Sequence, residues 1–185
     1  MRIHLRPLRA EDAPLMLEWM QDPAIACFFR FDAMNMTEEK CRAFIESANR
    51  EQGSLHYAIA DERDEYLGTV SLKDISDGRA EYAISTRRCA HGTGAAMQAT
   101  KEILRIAFDE LGLESVFLNV LEENLRANAF YRKAGFQYTH TEENALELRG
   151  RKKALNWYIY TRMEKHDSKR ENPSCNMHNN MLSEI

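Results

Sequence analysis

Polar and apolar residues alternate from Arg2 to Pro7, which predicts a short first strand. From Glu11 the period changes. Ala13, Met16, Leu17 and Met20 recur at three- and four-residue spacing, so 11–20 is a helix with Glu11 and Asp12 in its first turn, where the helix dipole favours acid. Asp22 and Pro23 stop it, because the residue before a proline avoids the helical region. Phe28, Phe29 and Phe31 crowd around Arg30, a cluster that suits core packing or a pocket wall. Thr37 caps the next helix, whose buried face is Cys41, Phe44, Ile45 and Ala48, with Gln52, Gly53 and Ser54 ending it.

Three strands follow at 56–60, 66–72 and 80–85, joined by short turns that imply an antiparallel meander. Ala96, Ala99, Ile103, Ala107 and Leu111 then mark a long amphipathic helix that Gly112 stops. Strand 116–121 comes next. The strand–helix–strand order sets it parallel to 80–85 through a right-handed crossover. A helix over 122–134 ends at Gly135, with Leu125, Ala129 and Ala134 free to bury. Extended structure resumes at 136–140. Strands 146–148 and 155–163 flank a hairpin at Arg149, Gly150 and Arg151, and Leu155, Trp157 and Ile159 share the face opposite Asn156, Tyr158 and Tyr160. The expected fold is α+β, a mixed, mostly antiparallel sheet with one parallel pair at its middle. From residue 165 the chain turns polar and aperiodic, so 165–185 is expected to be a mobile tail behind a domain of 1–164.

Two stretches stand out chemically. Between strand 80–85 and the long helix, Gly92 and Gly94 leave bare backbone, with Ala95 and Ala96 following. A helix N-terminus has unpaired N–H groups and a positive dipole end, so a phosphate can rest on such a turn. The same pattern also makes an ordinary tight strand-to-helix connection. Further on, Asn124, Ala127, Asn128 and Tyr131 fall on one helix face, where a solvated helix would carry charges; Tyr131 packed with its hydroxyl at the surface is the plainer reading. The two helices leave the carboxyl ends of the parallel strands, where ligands of such sheets bind, so both stretches could meet one elongated ligand.

Composition narrows the partners. With 44% hydrophobic and 29% charged residues and a net charge of −4, the 185-residue chain is an ordinary globular domain, with no basic face for nucleic acid and no apolar run of membrane-spanning length. Cys27, Cys41, Cys89 and Cys175 lie far apart with no zinc-ligand spacing, so free thiols, a cytoplasmic setting and no metal are expected.

The two stretches resemble motifs of the GNAT superfamily of acyl-CoA-dependent N-acetyltransferases over about residues 2–163. The family's pyrophosphate loop, Q/R-x-x-G-x-G/A, is matched by His91 to Ala96, with His91 in place of the usual Gln or Arg. Its N-x-x-A/S-x-x-x-Y-x-x-x-G-F motif is complete in Asn124, Ala127, Tyr131, Gly135 and Phe136. Leu5 to Leu8, Trp19, Asp22-Pro23, Gly68 to Ser71 and Ala80 to Tyr82 resemble the branch of ribosomal-protein N-terminal, spermidine and nucleotide-amino-sugar acetylases.

This resemblance implies a GNAT-like sheet whose parallel pair splays, and an acetyl-CoA-dependent enzyme that transfers acetyl directly to a primary amine in a ternary complex. The main-chain N–H groups of His91, Gly92, Thr93, Gly94, Ala95 and Ala96 would hold the pyrophosphate, with added charge from the His91 ring. The backbone of Ile84, Ser85 and Thr86 would pair with the pantetheine arm, and Asn124 would hydrogen-bond the cofactor. Near the splay, a backbone N–H would polarise the thioester carbonyl. Tyr131 matches the tyrosine that protonates the departing thiolate. Glu81 is the candidate base, with Asp74 and Glu122 also open, and a solvent-facing strand carboxylate as the plainer reading of Glu81. Cys89, near the loop, matches no role in the family, and a buried, inert thiol is the expectation there.

A dinucleotide site would need glycine at Met97, and a P-loop needs a Gly-Lys-Ser/Thr run that is absent. A non-catalytic acyl-CoA sensor is the rival from another class; an intact Tyr131 argues against it. For the acceptor, the aromatic cluster with Arg30 favours a nucleotide-linked amino sugar, whereas the acidic balance favours a polyamine. Segment 20–36 and the hairpin at 149–151 are expected to shape its pocket. Monomer and homodimer both stay open.

Overall fold

The computed structural model describes residues 1–162; the tail expected at 165–185 lies outside them. Seven strands form one sheet in the order β1-β2-β3-β4-β5-β7-β6: β1 (Ile3–Pro7), β2 (Leu55–Asp61), β3 (Tyr66–Ser76), β4 (Arg79–Thr86), β5 (Ser115–Leu121), β6 (Gln137–Leu148) and β7 (Arg151–Thr161). Every pairing is antiparallel except β4 with β5. Helices cover both faces. α1 (Ala13–Met20), α2 (Pro23–Ala26) and α3 (Glu38–Ala48) lie on one side, and α4 (Ala95–Arg105) and α5 (Leu125–Lys133) on the other. Alternate positions of β2 feed the two resulting cores: Ala58 packs with Met16, Trp19 and Ile45, and Ile59 with Val70, Ile103 and Val116.

Several elements differ from their expected extents, each for a local reason. The first helix begins at Ala13, because residues 10–12 form a 3-10 turn that carries Asp12 inward to Arg6. Pro23 does not only end structure. With Asp22 accepting from the Ala24 N–H at 2.9 Å, it opens the short helix α2. Thr37 caps α3 as expected, accepting from the Lys40 N–H. Strand β3 runs past residue 72 to Ser76 by way of a bulge at which Asp74 takes φ 51°. Helix α4 is shorter than its apolar stripe, since residues 106–110 widen into a π-turn. Helix α5 starts at Leu125 rather than 122, because Asn124 caps it by accepting from the Ala127 N–H at 3.1 Å.

Segments 136–140 and 146–148 join in the single bulged strand β6. Its hairpin with β7 turns on Arg149 (φ 52°) and Gly150 (φ 72°), the left-handed pair that a two-residue turn requires. On β7 the face with Asn156, Tyr158 and Tyr160 is the one turned to the α4–α5 side, while Trp157 stacks on Phe117 on the opposite face.

Leu125 and Ala129, expected to bury, are exposed, Leu125 at 77%. Helix α5 is docked by a polar residue instead. Asn128, only 4% exposed, donates to the carbonyls of Leu121 (3.0 Å), Glu122 (3.3 Å) and Asn124 (2.8 Å). Its carbonyl accepts from Asn156 (2.9 Å) and Tyr158 (2.8 Å) on β7. A buried amide with every polar atom paired fixes position more sharply than an apolar side chain, because any shift orphans a bond.

Candidate active site

The site follows from how β4 and β5 part. They pair only through Arg79, Ala80 and Glu81 against Ser115, Val116 and Phe117. Beyond that each strand keeps only its outer neighbour: β4 stays bonded to β3 as far as Thr86, and β5 to β7 as far as Leu121. The facing edges of Tyr82–Thr86 and Leu118–Leu121 are therefore open. The far end of β4 is pressed close to β3 at Gly68, where a Cβ would stand 2.3 Å from the Ser85 carbonyl oxygen, so only glycine fits there. Over the gap stands Tyr131 of α5, its ring 6.1 Å from those of Tyr82 and Tyr158. A cleft of about 480 Å³ opens here, walled by β4, β5, α5 and the 24–31 segment.

At one end lies the glycine turn. Gly92 and Gly94 adopt φ +76° and +85°, conformations that favour glycine. Around Gly92 nothing stands within 4 Å of where a side chain would begin, so the turn presents open backbone. Not all the expected N–H groups are free. His91 N–H donates to Arg88 O and Thr93 N–H to Ala90 O, while Ala95 N–H reaches the Thr93 hydroxyl at 3.3 Å. Those of Gly92, Gly94 and Ala96 have no acceptor among the described residues. Thr93 thus braces the turn, its hydroxyl donating to Ala90 O at 2.8 Å. His91 and Ala96 line the cleft; Gly92 and Gly94 lie exposed at its outer rim.

The His91 ring differs from expectation. Burial, with the nearby Arg126 guanidinium, holds its pKa below the ordinary 6.5, so at neutral pH it brings no charge. Arg126 supplies one. It is exposed and lines the cleft, and its place off the Asn124–Tyr131 face hides it from a reading of helical spacing. One signal was available: a cation in the first turn of a helix opposes the dipole, an arrangement that an anionic ligand would relieve.

Ile84, Ser85 and Thr86 line the cleft along the open edge of β4. Asn124 lines it too. Its Oδ1 is taken by the cap bond to Ala127, and its Nδ2 has no acceptor among the described residues. The Tyr131 hydroxyl likewise has no hydrogen bond among them, and burial pushes its pKa up to about 12. It therefore keeps its proton at any physiological pH. Tyr82, buried behind it, is held by Thr100 at 2.7 Å.

Glu81 sits where the parallel pair closes. It lines the cleft half-buried, paired at 3.0 Å with Lys73 directly across on β3. Asp74 and Glu122 are exposed and do not line it, so they lose ground as bases. Cys89 is exposed rather than buried, and it too lies off the lining. Phe28, Phe29, Arg30 and Phe31 form the wall across from β4. Phe29 stacks on Phe31 at 5.0 Å and tilts against Trp19 at 5.7 Å, Phe28 packs on Leu121, Leu148 and Leu155, and Arg30 reaches over to donate to Asn119 on β5. The β6–β7 hairpin does not line the cleft. It supports this wall, Arg149 donating to Ala26 O at 3.2 Å.

An acetyltransferase (GNAT) domain family matches residues 2–137. Among solved structures, spermidine N-acetyltransferase from Vibrio cholerae in complex with CoA and spermine is similar to the chain at a TM-score of 0.77 and 19% identity, over 86% of this chain and 95% of that one. A probable acetyltransferase is similar at 0.76 and 20% identity, over 86% and 92%. A dodecameric structure of the Vibrio cholerae spermidine enzyme is similar at 0.68 and 18% identity, over 86% and 93%. No curated protein matches the sequence significantly. The family match, spanning most of the chain and both motif-bearing helices, agrees with the parted strands and the open glycine turn: the chain belongs to the GNAT family of acetyl-CoA-dependent N-acetyltransferases.

Proposed function

We propose that the protein transfers the acetyl group of acetyl-CoA to a primary amine of a small molecule or a peptide N-terminus, by direct attack with both substrates bound. One observation carries the reading: the cleft between the open edges of β4 and β5 has at one end N–H groups with no acceptor among the described residues, and a protonated tyrosine over its middle. The donor set fits the cofactor. The N–H groups of Gly92, Gly94 and Ala96 would take pyrophosphate oxygens with help from Arg126, the edge of Ile84–Thr86 would pair with pantetheine amides, and Asn124 Nδ2 would hold a carbonyl.

The chemistry is then shared between two side chains. An acceptor amine, protonated at neutral pH with a pKa of about 10, must lose a proton before it can attack. Glu81 would receive it, directly or through a water, with Lys73 orienting its carboxylate. Tyr131 gives its proton to the sulfur as the thiolate leaves, which its raised pKa allows at every working pH. Cys27, Cys41 and Cys89 form no disulfide among the described residues, which supports a reducing, cytoplasmic setting for the enzyme. Its fold neighbours leave a polyamine acceptor as a second reading.

Thiol release from acetyl-CoA tests this with three acceptors in parallel: a nucleotide-linked 4-amino sugar, spermidine, and a peptide with a free N-terminal Ala or Ser. Turnover with one of them is expected. Tyr131→Phe is expected to lower kcat by about 10²–10³-fold while leaving the KM for acetyl-CoA nearly unchanged. Tight acetyl-CoA binding with no turnover of any amine, and no effect of Tyr131→Phe in cells, would instead point to a sensor.

A further inference from the structure

We infer that the acceptor amine is carried by an anionic molecule, whose phosphate or carboxylate is bound by Arg30, and not by a polycation. The inference rests on the transferase reading and names the substrate class of that same site.

Its basis is the distribution of charge along the cleft. Among the described residues, Arg30, Lys73 and Arg126 are its cationic lining groups, and Glu81 is the carboxylate that opposes them. His91 is neutral at pH 7. These charges divide between two ends. Arg126 lies by the glycine turn, where its charge acts on His91, so it faces the pyrophosphate end. Lys73 and Glu81 sit where the parallel pair closes, and they neutralise each other at 3.0 Å. Arg30 is the charge left over. It has no acidic partner among the described residues; its one bond is to the Asn119 amide oxygen.

Arg30 is exposed, and that bond engages one part of its guanidinium. Nη2 donates to Asn119, while Nε and Nη1 have no acceptor among the described residues. The backbone beneath is fixed as well, because Phe29 and Phe31 stack on each other on either side of Arg30 in sequence. Asn119 lies two residues beyond the last parallel pair, on the same side of the sheet as Glu81's partner Phe117. An anchored guanidinium in the same cleft as the candidate base can donate to a carboxylate or phosphate and so orient the amine towards Glu81. A polyamine would meet the reverse of what it needs. Its several ammonium groups require carboxylates, and the one present already has a lysine partner.

Binding to the CoA-saturated protein, followed by calorimetry, decides the matter. The probes are spermidine, a nucleotide-linked 4-amino sugar as the phosphate-bearing amine, and the dipeptide alanyl-aspartate as the carboxylate-bearing one. At least one anionic probe is expected to bind about tenfold or more tightly than spermidine, and which one does so tells phosphate from carboxylate. Arg30→Met should remove most of that advantage and Arg30→Lys should keep part of it, with CoA affinity within about twofold of the parent in both. Spermidine binding as tightly as the anionic probes, or an anionic probe indifferent to Arg30→Met, would overturn the inference. Failure of CoA itself to bind would strike the transferase reading instead, and this inference with it.

Discussion

Tyr131 holds its proton because its surroundings are aromatic and dry, and that fixes the shape of the pH profile. The acid form of a group whose pKa is raised to about 12 persists at every pH below that value. The amine has the opposite need, since its free-base fraction grows towards a pKa of about 10. Rates at subsaturating acceptor should therefore climb from pH 7 to 9.5 with no falling limb from the tyrosine; a falling limb in that range that vanished in Tyr131→Phe would contradict the assignment. A second pair of residues divides charge in an unexpected way. His91 stands at the loop position where the family has Gln or Arg, yet burial and Arg126 keep it neutral. His91→Gln should leave the acetyl-CoA KM within about twofold at pH 7.5, whereas Arg126→Ala should raise it about fivefold to tenfold. Steady-state kinetics on the two variants checks both.

Among the elements, α5 has the greatest consequence for so short a helix. It carries both Asn124 and Tyr131, and what seats it is the buried amide of Asn128 rather than an apolar stripe. Asn128→Ala would leave the Glu122 carbonyl without its donor, while Leu121 O keeps the Asn124 N–H, and would strand the Asn156 amide and the Tyr158 hydroxyl. The expected cost is about 2–3 kcal/mol of stability, read from urea unfolding, with kcat lowered because Tyr131 loses its fixed place over the gap. A control shows the contrast. Leu125, one residue into the same helix, is 77% exposed, and Leu125→Ala should change stability by no more than about 0.5 kcal/mol. The wall opposite depends on another element in the same way, since the β6–β7 hairpin holds the 24–31 segment through Phe28 and Arg149 without touching the cleft.

Across the whole molecule, the edge strand β1 is tied in by charge. Arg6 and Asp12, 7% and 3% exposed, form a two-point pair at 2.8 Å, and Asp64 in the β2–β3 turn bonds Arg9 and Arg6. Its hydrogen bond from Arg9, with the one from Arg6 Nε, lowers the Asp64 carboxyl from 3.8 to about 2. A pKa depressed on folding gives stability that is complete above pH 4 and lost as pH falls towards 2. Asp64→Asn should therefore lower Tm at pH 7 and flatten its decline between pH 4 and 2, as thermal melts across that range would show. Much of this architecture was legible beforehand. Period-two and period-3.6 spacing marked the strands and helices, Gly92, Gly94 and Gly135 marked turns that need left-handed backbone, and the complete Asn124-to-Phe136 pattern marked the helix over the site. Such features are local, set by backbone sterics and by which neighbours along the chain share a face. What the chain in order could not reveal was pairing between residues far apart in it. Only the fold decided where β4 and β5 part, that Lys73 meets Glu81, that Arg30 crosses to Asn119, that Asn128 turns inward, and that His91 is neutral. Each depends on the distance and burial of groups brought together across the sheet, and periodicity carries no record of either.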